Sequence, residues 1–213
     1  MSDVAVIDYG MGNRRSVEKA LAHVGARPVI THDHQELRDA DGLVLPGVGA
    51  FPRAMRNLTE LGLDDVIREQ VARGVPLLGI CLGMQLLFDS SEELEGTAGI
   101  GLIAGEVSRL NAGAHRIPHI GWNDVRLERP SPLTAELPQA GCPFYHVHSF
   151  AARPGDPEHV VGTAEYGGDR FATIVSRENV FGVQFHPEKS SQHGLRLLHG
   201  FVAVCVGLAG ARA

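Results

Sequence analysis

The chain has 213 residues, 44% of them apolar and 21% charged, and a formal net charge of −6. That length suits one domain spanning residues 1–213, able to bury about 70% of its unfolded surface, and no apolar run approaches the ~20 residues of a membrane span. An acidic balance without a basic cluster argues against nucleic acid as the main partner, and the N-terminus lacks the basic-then-apolar pattern of a secretory signal.

Short apolar runs at Val4–Asp8, Arg27–Ile30, Gly42–Pro46 and Val75–Ile80 read as strands. Helical patterns lie between them, near 14–24, 34–39, 51–58 and 62–73. Continuous apolar strands alternating with helices predict an α/β fold: a mostly parallel central sheet covered by helices on both faces. The second half changes character. Glu106–Leu110, Trp122–Leu127, Phe144–Phe150, Val160–Tyr166, Phe171–Ser176 and Val180–His186 read as strands separated by turn signals such as Gly167-Gly168. They predict antiparallel hairpins added to the sheet or packed beside it. The Pro-rich stretch 128–143 reads as a surface loop. Ser190–Val206 closes the chain as a helix that Gly207 and Gly210 should end. No repeat, low-complexity segment or linker divides the chain.

The chemistry concentrates at Leu77-Leu-Gly-Ile-Cys81-Leu-Gly-Met-Gln85. An apolar strand runs into a cysteine among small residues, and a short helical pattern follows, so the thiol should sit at the apex of a tight turn. A helix N-terminus favours the thiolate, the nucleophilic form, and Gly79 and Gly83 leave the room a strained elbow needs. By itself this could equally be a buried core cysteine. The distant segment Phe185-His-Pro-Glu-Lys-Ser190 changes the balance. Residues two apart in an extended chain share a side, so Glu188 can orient His186, and Cys81, His186 and Glu188 make a nucleophile, base and orienter. An oxyanion hole would come from the Leu82 N–H and from the Gly47-Val48-Gly49 loop after the third strand, through Val48 or Gly49. Two such donors are worth roughly 3 kcal/mol each to a tetrahedral intermediate.

Pro46-Gly-Val-Gly49, Gly79-Ile-Cys-Leu-Gly-Met-Gln85 and Phe185-His-Pro-Glu188 resemble, in order, the three signatures of the class I (triad-type) glutamine amidotransferases. Asp8-Tyr-Gly-Met-Gly-Asn13 with Arg15-Ser-Val17, and Arg116-Ile-Pro-His-Ile-Gly-Trp-Asn123, resemble the glutaminase-subunit family of imidazole glycerol phosphate synthase, which usually has Lys at the position of Arg116. Tyr145-His-Val-His-Ser149 is similar to that family's strand before the glutamine pocket, although an apolar residue is commoner where His146 stands. The resemblance implies a flavodoxin-like α/β fold and hydrolysis of glutamine to glutamate and ammonia without a metal or organic cofactor. It implies that Gln85 and the backbone around His148 and Ser149 hold the amino-acid moiety. Its partner would be a (β/α)₈-barrel cyclase subunit. That subunit uses the ammonia to make imidazole glycerol phosphate and an aminoimidazole carboxamide ribotide in histidine biosynthesis. Lys189 would pair with an acidic residue at the barrel mouth, and Trp122 and His119 should lie on the same docking face. A partner that consumes ammonia also implies restraint of the free enzyme, for which a peptide in the Pro46–Gly49 loop could turn its carbonyl toward the oxyanion site.

Other signals are weaker. Cys81, Cys142 and Cys205 are odd in number without CxxC spacing, so neither a disulfide framework nor a zinc knuckle is implied, and a free thiol suits a reducing cytoplasm. His146-Val-His148 has ligand-like spacing, but no Asp, Glu or Cys cluster accompanies it. Gly10-Met-Gly12 lacks the third glycine of a dinucleotide loop, Arg15 standing in its place. The alternatives are a glutaminase for another amide-transfer pathway, against which Pro118–Asn123 argues, and a stand-alone cysteine hydrolase. A non-catalytic interaction module is disfavoured because all three triad positions are filled.

Overall fold

Parity along the first strands organises the molecule, a computed structural model that describes residues 2–94 and 96–212. In β1 (Asp3–Ile7), Val4 and Val6 face one apolar cluster and Ala5 and Ile7 face another. A strand can bury alternate residues on both faces only when each face is covered. Helix α1 (Arg14–His23) covers the first face through Val17, Ala20 and Leu21, and β2 (Arg27–Thr31) follows. The opposite face is covered by α2 (His34–Asp39), α3 (Phe51–Glu60) and α4 (Leu63–Ala72). In α3, Phe51, Ala54, Met55 and Leu58 are buried, the i, i+3, i+4, i+7 stripe of an amphipathic helix.

Strands β3 (Gly42–Gly47) and β4 (Leu77–Cys81) are buried throughout, and one helical turn, α5 (Leu82–Gln85), follows β4 directly. The chain then makes β5 (Phe88–Ser91), β6 (Thr97–Ala98), β7 (Ile103–Arg109), β8 (His119–Leu127) and β9 (Cys142–His148). It continues through β10 (Phe150–Pro154), β11 (Val160–Tyr166), β12 (Asp169–Arg177) and β13 (Val180–Val183), and ends in α6 (Ser191–Arg212). Strands β2-β1-β3-β4-β13 are adjacent and parallel, the flavodoxin-like part of the fold. Antiparallel β12 and β10, then β7, β5 and β6, extend the sheet. β11 pairs with β12, and the hairpin β8–β9 hangs from β11. Among the described residues no helix is long and apolar enough to cross a membrane.

Several boundaries differ from the sequence expectation. Strands β5 and β6 have no apolar alternation to announce them; Asp89-Ser90-Ser91 becomes a strand by pairing with β6 and β7. The expected strand Phe144–Phe150 is two, because the chain leaves β8 after His148 and joins β7 from Phe150 onward. Stretch 128–143 is more than a surface loop: a 3-10 turn, Pro132–Thr134, buries Leu133, and Leu137 joins it against α6. Helix α6 runs through Gly207 to Arg212 instead of stopping there. Strand β13 ends at Val183, three residues short of His186.

Candidate active site

The parallel strands deliver their C-terminal ends to one crevice, where open α/β sheets bind ligands. Cys81 closes β4 with φ 55° and ψ −112°. A non-glycine residue there costs about 1–3 kcal/mol and persists only where its surroundings over-determine it. Three glycines supply that constraint. A Cβ on Gly83 would lie 1.7 Å from the Leu45 carbonyl oxygen, one on Gly79 2.7 Å from Gly83 O, and one on Gly47 2.9 Å from Leu82 Cβ. The elbow therefore presses on β3 with no space for side chains between them. Gly83→Ala is expected to destabilise the fold by about 1–3 kcal/mol or more, since backbone cannot yield as a flexible side chain can. A urea midpoint equal to that of the unaltered chain would refute this close packing.

His186 arrives by a route the strand reading missed. Beyond β13, Gln184 N–H still donates to Thr173 O of β12, but His186 N–H donates to Tyr145 O of β9. Pro187 begins a 3-10 turn, Pro187–Lys189. His186 and Glu188 thus meet across a turn, not along an extended strand, and Nδ1 lies 2.9 Å from Glu188 Oε1. The Ser190 hydroxyl donates to His186 O at 2.6 Å and accepts the Tyr145 N–H at 3.0 Å, locking the turn to β9. Burial by itself would lower the imidazole pKa; hydrogen bonds to Cys81 and Glu188, with the charges on both, outweigh it and push it up to about 10. Around the thiol, Val147 O lies 3.7 Å from Sγ and Gln184 Nε2 3.8 Å.

A cavity of about 320 Å³ opens over Cys81 and His186, lined also by Val48, Gly49, Leu82, Gln85, His148, Ser149 and Lys189. Gly47 is absent from the lining. It pairs with Cys81 as a strand residue, so its part is steric: Tyr9 Oη would be 2.5 Å from its Cβ. Tyr9 is buried beneath this loop and donates to Pro46 O at 2.8 Å. Burial, with the nearby Cys81, raises its pKa far above the usual phenol range, so it stays protonated and keeps that bond. Gly49, at φ 107°, gives the loop a conformation that L side chains resist. Gln85 contributes less freedom than expected, because its Nε2 donates to Phe150 O at 2.9 Å and Gln184 Oε1 at 3.0 Å.

Glu93 also lines the cavity. Its Oε2 accepts the Phe51 N–H at 2.8 Å at the start of α3. Nothing local in Ser91-Glu-Glu-Leu94 marks it, and only the pairing of β5 turns it inward. Cys142 lies outside the cavity, and burial pushes its thiol up to about 11.

Three expected interface residues separate into two groups. Lys189 is exposed at the cavity rim. Trp122 is 53% exposed on the outer face of β8 beside Ile120, which is 60% exposed and opposite Val147 of the cavity wall. His119 is a correction. At 3% exposure it lies inside the β8–β9 hairpin, 3.1 Å from His148 Nε2 and stacked on Tyr166, because an odd separation from Trp122 turns it to the opposite side. Its neighbours His146 and His148 are spent on internal bonds. His146 reaches Phe144 O at 3.1 Å and Thr173 Oγ1 at 2.9 Å, and His148 Nδ1 reaches Phe150 O at 2.9 Å. Among the described residues no group of histidines, cysteines and carboxylates has the arrangement of a metal site.

Comparison with known proteins gives a consistent result. The family model for glutamine amidotransferase class-I matches residues 5–204. The imidazole glycerol phosphate synthase subunit HisH of Moorella thermoacetica is 54% identical over 201 residues, covering 94% of each chain. That of Geobacillus thermodenitrificans is 48% identical over 212 residues, covering 97% of this chain and 98% of the relative. Among solved structures, a glutamine amidotransferase superposes with a TM-score of 0.74 at 21% identity, over 95% of this chain and 98% of that one. PurLQS from Thermotoga maritima matches with a TM-score of 0.76 at 22% identity, over 95% and 99%. At those identities the two structures speak for the fold.

Proposed function

The chain belongs to the class-I glutamine amidotransferases, within the HisH family of imidazole glycerol phosphate synthase subunits, and we propose that Cys81, His186 and Glu188 carry its glutaminase reaction. The observation that carries this reading is the strained Cys81 at the cavity floor beside an imidazole tethered to Glu188 at 2.9 Å. The Cys81 thiolate attacks the side-chain carboxamide carbon of glutamine. The oxyanion formed there is held by the Leu82 N–H and by an N–H from Val48 or Gly49. As the C–N bond breaks, His186 gives its proton to the leaving ammonia; it then takes one from the water that cleaves the glutamyl thioester to glutamate. Glu188 keeps the imidazole in the orientation both steps need. At the amino-acid end, Gln85 and the His148–Ser149 backbone form the wall, and the Glu93 carboxylate suits the substrate ammonium.

The ammonia passes to a cyclase subunit docked over the cavity mouth, as a heterodimer, for histidine biosynthesis. Exposed Trp122 and Ile120 beside the cavity wall, with Lys189 at its rim, support that placement. The glycine at Gly49 supports a loop whose peptides turn when the partner binds. Mixed with the cyclase and its nucleotide substrate, the chain should form glutamate and imidazole glycerol phosphate one for one, and by itself it should hydrolyse glutamine orders of magnitude more slowly. No glutamate from the complex would sink the assignment. Trp122→Ala and Lys189→Ala should weaken association or release glutamate without matching product. Unchanged affinity and unchanged coupling in both would move the interface elsewhere.

A further inference from the structure

The buried face of the β8–β9 hairpin holds a chain of hydrogen bonds that ends at the cavity. His119 and His148 are directly opposed in the strand register. A carbonyl only accepts, so the 2.9 Å contact with Phe150 O places the His148 proton on Nδ1. Burial holds His148 far below the usual imidazole range, at about 3, so its Nε2 carries no proton and accepts. The 3.1 Å contact then requires His119 to donate from Nδ1. His119 Nε2 is left as an acceptor, facing Asn123 Nδ2 at 3.5 Å, the longest of the nitrogen and oxygen contacts; Asn123 also donates to Glu165 O at 2.8 Å. At the other end, Phe150 O accepts Gln85 Nε2 as well, and Gln85 is joined through Gln184 to Cys81 Sγ.

We propose that His119 is a positioning residue whose hydrogen bond to His148 fixes the Ser149–Phe150 backbone and Gln85, and so links the strand carrying Trp122 to the glutamine pocket. The proposal rests on the glutaminase reading. From Asn123 through His119 and His148 each N–H donates toward the cavity, and the run ends on Phe150 O, a shared acceptor that Gln85 Nε2 meets from the cavity side. A ring without the Nδ1 donor leaves the buried His148 Nε2 unpaired, and the cost is met by movement of the cavity wall.

Two variants separate hydrogen bonding from packing. His119→Phe keeps the ring stacked on Tyr166 and removes the donor; His119→Asn gives up the ring but keeps an N–H close to the place of Nδ1. In the complex with the cyclase, His119→Phe should raise the KM for glutamine about tenfold, the scale of one buried hydrogen bond, with kcat within about threefold. His119→Asn should restore KM to within about twofold. An unchanged KM in His119→Phe overturns the proposal, and so does equal impairment of both variants, which would assign the effect to the ring. Nitrogen-15 spectra of the unaltered chain provide a test that needs no variant and no activity. They should show His119 and His148 both protonated on Nδ1, and protonation on Nε2 at either residue refutes the relay. Failure of the wild-type complex to hydrolyse glutamine would overturn the glutaminase reading instead, and the nitrogen-15 spectra would still decide the hydrogen-bond polarity.

Discussion

Cys81→Ala is expected to abolish glutamine-dependent synthesis by the complex, by roughly 10⁴-fold or more, the scale on which triad enzymes lose activity with their nucleophile. Synthesis from added ammonium salt should survive, because in the proposed division of labour the cyclase performs its own chemistry on the ammonia. The substitution is mild structurally. Alanine keeps the Cβ, so the φ of 55° is no more strained than before, and the glycine contacts that hold the elbow are untouched. Neither other thiol lines the cavity: Cys142 and Cys205 are both buried away from it, and burial raises the Cys142 pKa. Product formation from both nitrogen sources should be measured on the same preparation, with association checked separately. Should the ammonium-dependent reaction vanish while the chains still bind, the division of labour is wrong.

Glu188→Gln should lower turnover of glutamine by roughly 10²–10⁴-fold, as loss of the orienting carboxylate does in other triads. The side chain keeps its shape and loses its charge. Burial then depresses the His186 pKa with only Cys81 left to oppose it. The same change has a sign in stability. In the unaltered chain the imidazole pKa is raised to about 10 from about 6.5 in the unfolded state. The bound proton therefore stabilises the folded state fully below about pH 6.5, and that contribution is lost as pH rises toward 10. The variant should lose part of this slope. Urea midpoints measured from pH 6 to pH 10 will show it; equal slopes in the two proteins would mean that Glu188 does not hold the proton on His186.

Much of this is legible in the amino-acid sequence. Val4–Ile7, Gly42–Pro46 and Leu77–Cys81 are apolar on consecutive residues, and only a strand covered on both faces satisfies such a run, so the parallel sheet follows from the residues alone. The stripe Phe51, Ala54, Met55 and Leu58 likewise writes its helix into a contiguous stretch. Cys81 between Gly79 and Gly83, with His186 and Glu188 two apart, marks the proposed site through residue type and local spacing, although a turn and not an extended strand joins the last two. Tertiary structure decided the rest. Strands β5 and β6 exist because of their partners, and they bring Glu93 to the cavity although its own neighbours are unremarkable. Tyr9 and Ser190 became supports of the loop and of the His186 turn only when distant strands closed on them. His119 went inward with His148, not outward with Trp122, because its side was set by pairing with β9. Periods of 3.6 and 2 residues are carried by neighbours in the chain and can be read there. Register, sidedness at a strand end and the partner of a buried polar atom depend on residues far apart in sequence, and only the folded chain brings those together.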